Sequence, residues 1–381
     1  MYINREIEKE ILEMIRTYPV ITITGPRQSG KTTLVKHLFS NLPYHTLENP
    51  DTRLFAETDP RAFLNQMPKG AVIDEIQNVP QILSYLQQVV DENKDEVLFV
   101  LTGSNQFSMM NNISQSLAGR TAILKLLPFS LNETGTHKNE STDEILYKGF
   151  YPTLFKSNLR PTKFYRSYFE TYIERDVKQL INIKDTSLFQ KFIRLCAGRT
   201  ANIFNASALA AETGVSVKSI QSWISILEAS YILIRLQPFY ENINKRLTKS
   251  PKLYFYDVGL AAYLLGIEDI NQISRDPLRG ALFENMIIIE KIKQRFNKGL
   301  DHNLFFYRDS HHFEIDLIQK RGHELIPHEI KSAQTLHPDF LKGLKRFKKI
   351  FSDRIKNMYL IYDGDMEYST ENIHIRNFRN I

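Results

Sequence analysis

The run Gly25-Pro26-Arg27-Gln28-Ser29-Gly30-Lys31-Thr32-Thr33 has the residue types and spacing to grip a chain of phosphates. Gly25 and Gly30 let the backbone curl, so that amide hydrogens across Gln28 and Ser29 point inward at phosphate oxygens. The following helix adds its positive N-terminus. Lys31 can reach the β- and γ-phosphates as a mobile charge, the Thr32 hydroxyl can ligate magnesium, and Thr33 lies toward the α-phosphate. A second constellation, Ala71-Val72-Ile73-Asp74-Glu75, is an apolar run ending in two carboxylates. There Asp74 can hold magnesium through water and Glu75 can polarise an attacking water, capping of the next helix being the competing structural role. Thr102-Gly103-Ser104-Asn105 ends another apolar run and sets a polar side chain beside the γ-phosphate. Asn105 is the expected water-orienting group, with Ser104 in reserve.

A third constellation lies near the other end of the chain. Asp316 sits in a strand pattern, and in Glu329-Ile330-Lys331 the acid and the lysine fall on one face of a second strand. Glu284 on a preceding helix adds an oxygen ligand, so Glu284, Asp316 and Glu329 form an expected cage for a hard divalent cation. Such a cage activates water for cutting a phosphodiester, with Lys331 assisting electrostatically. His311 and His312 lack the paired spacing of a zinc site and read as loop residues.

These groups need elements to position them. Val20–Thr24, Gly70–Ile73 and Val97–Leu101 read as buried parallel strands, with helices from Thr32 to Phe39 and from Ile82 to Val90 between them. The first third is therefore α/β. Residues 132–144 are polar and without apolar periodicity, and read as an exposed loop. One or two amphipathic helices follow Pro161. A helix-turn-helix pattern comes next: Ser207 caps one helix, Gly214 turns the chain, and Ser216 caps a second helix that points Ile220, Trp223, Ile224 and Leu227 inward. Strand-like Tyr231–Leu236 and Leu253–Tyr256 complete a winged arrangement, in which Arg235, Lys245, Arg246, Lys249 and Lys252 make a basic wing. The last third opens with a helix at Ala281–Phe296 and continues with strands at Leu304–Tyr307, Phe313–Ile318 and Leu325–Ile330, then a basic helix. Three units are expected, at 1–160, 161–265 and 266–381.

Composition narrows the function classes. The 381 residues carry +6, a balance compatible with a polyanionic partner. Cys196 is the one cysteine, so an internal disulfide is excluded. Acidic Glu6 stands where an export signal would be basic, and charges interrupt every long apolar run, so a cytoplasmic protein without a membrane span is expected.

Gly-Pro-Arg-Gln-Ser-Gly-Lys-Thr-Thr, Ile-Asp-Glu-Ile-Gln, Leu-Thr-Gly-Ser-Asn and Leu117-Ala118-Gly119-Arg120 together resemble the AAA+ superfamily. Specifically, the chain is similar to a bacterial and archaeal ATPase family with an AAA-type front and a domain of unknown function behind. The resemblance implies ATP with Mg2+, and gives Arg120 the role of a sensor or finger arginine in its own site or a neighbour's, as a homo-oligomer would require; a structural ion pair is the alternative. No second-sensor arginine motif is evident. The order Glu284, Asp316, Glu329-x-Lys331 resembles the PD-(D/E)XK nucleases. The expected fold is thus a P-loop NTPase domain, a winged-helix segment and a nuclease-like α/β domain. The expected function is ATP hydrolysis coupled to DNA binding or processing. The alternative is a nucleotide-controlled switch or scaffold in stress or defence signalling, with an inactive nuclease-like domain that binds protein. A kinase is disfavoured, because the Asp74-Glu75 pair suits water activation.

Overall fold

The computed structural model describes residues 2–93, 97–104, 116–135, 139–177, 185–240 and 250–381, without the side chains of 174–177. The front sheet comprises β1 (Val20–Thr24), β2 (Tyr44–Thr46), β3 (Gly70–Asp74), β4 (Leu98–Gly103) and β5 (Thr121–Lys125). Its order is β2-β3-β4-β1-β5, every pairing parallel. Both faces are covered, which is why β1 and β3 are buried throughout. Ile7 and Ile11, beside and within α1 (Glu8–Met14), and Leu34 and Val35 of α2 (Lys31–Leu38) pack on one face. Ala56 of α3 (Pro50–Thr58) and Leu83, Leu86 and Val90 of α4 (Ile82–Glu92) pack on the other. Because β4 is inserted between β1 and β3, the carboxyl ends of all three strands open on one crevice, where ligands bind in sheets of this kind.

The loop expected at 132–144 is corrected in its described part. Leu131–Thr134 and α5 (Thr142–Lys148) are helical, each started by a capping box, Ser130 with Glu133 and Ser141 with Glu144. Pro161 opens α6 (Pro161–Tyr168) as expected, and a π-helical stretch runs on through Phe169–Val177. Beyond it come α7 (Thr186–Ala197), α8 (Ala206–Thr213) and α9 (Val217–Ala229), then an antiparallel pair β6 (Leu233–Leu236) and β7 (Lys252–Phe255), and α10 (Val258–Leu264). Gly214 turns the chain with φ 76°, and Ser216 caps α9. The cap of α8, however, is Asn205, whose extended backbone lets its side chain accept from Ala208 N at 3.0 Å. Ser207 already lies inside the first turn.

The last sheet comprises β8 (Leu304–Arg308), β9 (Glu314–Arg321), β10 (Glu324–Lys331), β11 (Met358–Tyr362), β12 (Tyr368–Thr370) and β13 (Ile373–Asn377). Its order is β12-β13-β11-β10-β9-β8. β8, β9 and β10 form an antiparallel meander, and α12 (Lys342–Ile350) supplies the crossover that lets β11 pair parallel to β10. α11 (Arg279–Phe296) lies on one face with Leu317, Ile330 and Ile361, while Leu344 and Phe347 of α12 lie on the other with Leu325 and Leu360. The opposite side of α11 meets β7 and α10, so the helix is buried on most of its sides, polar Asn285, Glu290 and Lys293 included. One core runs unbroken from Leu127 to Phe378. Among the described residues no helix is long and apolar enough to cross a membrane.

Candidate nucleotide site and a second carboxylate cluster

The loop between β1 and α2 is shaped by two glycines. Gly25 has φ 154°, and a Cβ there would stand 2.0 Å from the Leu126 carbonyl oxygen. Gly30 has φ 97° at the start of α2, the left-handed region open to glycine. Inside the curl, Lys31 Nζ donates to Gly25 O at 2.9 Å and Pro26 O at 2.8 Å. Burial lowers its pKa to about 8, with Glu75 and Asp74 pulling it back up. Ser29 is fully buried, and its hydroxyl has no partner. Gln28 and Thr33 are exposed beside the loop. An ammonium satisfied only by its own loop's carbonyls and an orphaned hydroxyl make a donor set that fits a polyphosphate.

β3 delivers the two carboxylates to the same crevice. Asp74 accepts from the hydroxyls of Thr32 at 2.8 Å and Tyr44 at 2.6 Å, and from Thr102, so it is fixed from β2, β4 and α2 at once. Glu75 takes the left-handed backbone, φ 58°, a conformation costly for a residue with a Cβ. The 3-10 turn Ile76–Asn78 then brings Gln77 back alongside it. One Glu75 oxygen accepts from Gln77 Nε2 and, at 3.3 Å, from Ser104 Oγ. Ser104, the reserve for the water-orienting role, thus lies beside the acid, and Asn105 lies outside the described residues.

The structure does not bring Arg120 to the loop. Val20 N donates to its carbonyl at 3.2 Å, which places it at the amino end of β1, roughly 15 Å along the strands from the phosphate loop. Its guanidinium pairs with Asp91 through two hydrogen bonds of 2.5 and 2.8 Å. A role in its own site is thereby corrected, because parallel pairing fixes which edge of the sheet each residue occupies.

Two residues had escaped the sequence reading. Arg5, buried ahead of α1, donates to Ser29 O at 2.8 Å and Leu127 O at 2.7 Å and pairs with Glu133 at 3.0 Å. It braces the loop from behind. Tyr231, buried with φ 55° between α9 and β6, shares a 2.8 Å hydrogen bond with Thr24 at the loop's entrance. No local motif marks either one, since their partners are remote in sequence. Gln77 did carry a signal, the Asp-Glu-x-Gln spacing, although alternation alone would have turned it away.

The second cluster departs from expectation. Glu284 of α11 is held by Lys252 Nζ at 3.1 Å and Tyr254 OH at 2.6 Å, and Lys252 also pairs with Glu314 at 2.5 Å. Asp316 accepts from Ile330 N at 2.8 Å, while Lys331 reaches Glu329 at 2.8 Å and Asp316 at 3.4 Å. The second Glu329 oxygen is buried without a partner. Burial raises the pKa of both Glu284 and Glu329; Asp316 adds to this, whereas the lysines oppose it. Among the described residues no group of three or more His, Cys, Asp or Glu could hold a metal ion. The expected cage of Glu284, Asp316 and Glu329 is therefore corrected, because two ammonium groups already hold these carboxylates. Two residues of the expected basic wing are corrected, since Lys252 is buried and Arg235 pairs with Glu228; Lys245, Arg246 and Lys249 lie outside the described residues. Lys218 and Gln221 are exposed on α9, and His311 and His312 lie in a loop, as expected.

Residues 17–135 match a family model described as an AAA domain, and the parallel five-stranded sheet with its loop matches the architecture of a P-loop NTPase domain. Residues 139–271 and 279–380 match two models described as domains of unknown function, DUF8612 and DUF4143. Uncharacterized proteins of Mycobacterium tuberculosis and Mycobacterium bovis are each 26% identical over 96% of this chain and 81% of their own length. One of Haemophilus influenzae is 21% identical over 84% of each chain. Among solved structures, the chain is similar to a Walker-type ATPase of Pyrococcus abyssi at 14% identity, with TM-score 0.47, covering 69% of this chain and 96% of that one. RuvB of Thermotoga maritima is similar at 18% identity, with TM-score 0.33, over 61% and 90%.

Proposed function

We propose that this chain binds and hydrolyses ATP with Mg2+ at the loop of residues 25–33, and that turnover drives DNA binding or processing by the rest of the chain. The carrying observation is the convergence of Lys31, Thr32, Asp74 and Glu75 at the carboxyl ends of β1 and β3, with Thr32 Oγ1 on Asp74 at 2.8 Å. Thr32 and Asp74 would hold the magnesium ion, which when bound shields charge between the β- and γ-phosphates. Lys31 exchanges its loop carbonyls for phosphate oxygens, and the buried Ser29 hydroxyl gains a partner. Glu75, steadied by Gln77 and Ser104, orients the attacking water and draws off its proton. Water oxygen bonds to the γ-phosphorus as the bond to the β–γ bridging oxygen breaks, releasing ADP and phosphate.

DNA association is supported by the helix-turn-helix of α8 and α9 followed by β6–β7, a winged-helix order, with Lys218 and Gln221 outward. The helix, antiparallel meander, crossover helix and parallel strand of the last unit support the nuclease-like reading of that fold. One observation favours the second reading, a nucleotide-controlled scaffold: Lys252 and Lys331 hold the carboxylates that cutting would require. Hydrolysis by the purified chain, measured with and without single-stranded, duplex and branched DNA at fixed salt, tests the proposal. DNA-stimulated turnover that Lys31→Ala abolishes supports it. Turnover indifferent to Lys31→Ala refutes the site. Nucleotide-dependent protein capture without DNA affinity supports the scaffold.

A further inference from the structure

Beside the last turns of α11, on the face of the sheet away from α12, lies a cleft of about 310 Å³. Lys291 of α11, Arg321 at the end of β9 and Arg376 of β13 line it, and His328 of β10 and Tyr359 of β11 form its floor. Among the described residues none of the three cations pairs with a carboxylate. Lys291 Nζ donates to the neutral Gln294 side chain at 3.3 Å, and Arg376 to the Ile375 carbonyl at 2.9 Å. With the Gln319 amide turned to put its oxygen toward them, Arg321 at 3.3 Å and Arg295 at 3.2 Å share that one acceptor. The negative groups on the wall are Glu324 and the chain end at Ile381, and neither pairs with these cations.

The cations work against one another. Burial lowers the pKa of Lys291 to about 8, and Arg321 and Lys298 add to the effect although Glu290 opposes it. His328 is held down to about 3, by burial first and then by Lys291 and Arg321, so its ring is neutral at physiological pH. The floor is rigid. His328, Tyr359 and His374 ladder across neighbouring strands, with ring centres 5.1 and 5.0 Å apart, and His374 is tied to Ser369 at 2.9 Å and Asn357 at 3.0 Å. Gathered positive charge without carboxylate ion pairs in a half-closed cleft is stabilised by an anion from solution. Guanidinium forks match the tetrahedral oxygens of phosphate.

We infer that this cleft binds a small phosphate-bearing molecule, of about mononucleotide or sugar-phosphate size. Its volume stands at the small end of ligand pockets. The cleft is separate from the phosphate loop and from the carboxylate cluster: Lys291 follows Glu284 by seven positions on α11, roughly 10 Å along the helix.

Calorimetric titration of full-length Lys31→Ala protein, its nucleotide loop disabled, tests this with AMP, ribose 5-phosphate, inorganic phosphate and a short single-stranded oligonucleotide. At least one of the phosphate compounds binds with one site per chain and a Kd below about 1 mM. Comparing them shows whether base, sugar or phosphate alone is recognised. Adding Arg321→Gln and Arg376→Gln, both near the surface, weakens binding at least about tenfold through lost charge-assisted hydrogen bonds, with an unchanged melting temperature showing that the fold persists. The inference is overturned if no phosphate compound binds, if the arginine variants bind as the parent does, or if only the oligonucleotide binds.

Discussion

Replacing Lys252 by methionine removes a charge whose side chain is 3% exposed while keeping much of its bulk. Two carboxylates lose their cation: Glu284, whose side chain is 16% exposed, and Glu314, 26% exposed. Breaking one partner of a buried pair costs roughly 3–5 kcal/mol, because the remaining charge is left uncompensated. Glu314 retains Arg308 at 3.4 Å and some water, so most of the loss falls on Glu284, which keeps only the Tyr254 hydroxyl. A carboxyl can escape by taking up a proton. Burial already raises the pKa of Glu284, and without Lys252 it rises further. The sign follows: a carboxyl whose folded pKa lies above its unfolded value adds stability at low pH that is lost as pH climbs through the folded value. The penalty in Lys252→Met is therefore largest near pH 8 and shrinks toward pH 5. At roughly 2–4 °C per kcal/mol for a unit of this size, the melting temperature should fall by about 6–20 °C at pH 8 and by clearly less at pH 5.5. Adding Glu284→Gln should recover most of the loss, since neutral replacement of both partners is nearly free. Thermal melts of wild type, both single variants and the double variant at the two pH values decide it. A drop of under 2 °C at pH 8 (well below that range), or a drop that does not depend on pH, refutes the claim that Lys252 is the counter-ion of this cluster.

Glu75→Gln should bind ATP about as wild type does yet turn it over roughly 10²–10⁴-fold more slowly; equal rates in single-turnover measurements would remove Glu75 from the chemistry. Nucleotide affinity should be level up to about pH 7 and fall by up to about tenfold per pH unit above 8, because burial has lowered the pKa of Lys31 to about 8 and only the ammonium attracts phosphate. Fluorescent-nucleotide titration from pH 6.5 to 9.5 checks this, and a flat profile contradicts it. Arg120→Ala should leave nucleotide affinity unchanged, as its guanidinium sits with Asp91 at the far edge of the sheet; a weakened Kd in the same titration would contradict that placement.

What could be read from the chain in advance was whatever is contiguous in it. The loop of Gly25 to Thr33 and the Asp74-Glu75 end of β3 are motifs in which chemistry and backbone path lie side by side, and the buried parallel strands around them are short runs rich in β-branched and apolar residues. The structural elements of the last unit were legible for a related reason: helix and strand periods differ, so α11, β8, β9 and β10 lie within a few residues of their expected bounds. The brace Arg5 was not legible, since its partner Leu127 is 122 positions away and an arginine ahead of a helix carries no mark of burial. Arg120 shows the same limit from the other side. A short Leu-Ala-Gly-Arg resemblance names a type of residue, but only the pairing of β5 with β1 says which end of the sheet it occupies.

The carboxylate cluster separates arrangement from chemistry most sharply. Spacing correctly put Glu329 and Lys331 on one face, where they now bond to each other. Lys252, however, comes from β7, and read in sequence it was one more cation of a solvent-facing wing. Packing of α11 against β7 turns it inward, onto Glu284. A carboxylate constellation can thus be inferred from strand and helix periods, whereas its charge state depends on whatever a distant strand delivers into the gap. An ammonium and a divalent cation compete for the same oxygens, so the balance between a hydrolytic centre and a salt-bridged seam rests here on Lys331 within the motif and on Lys252 outside it.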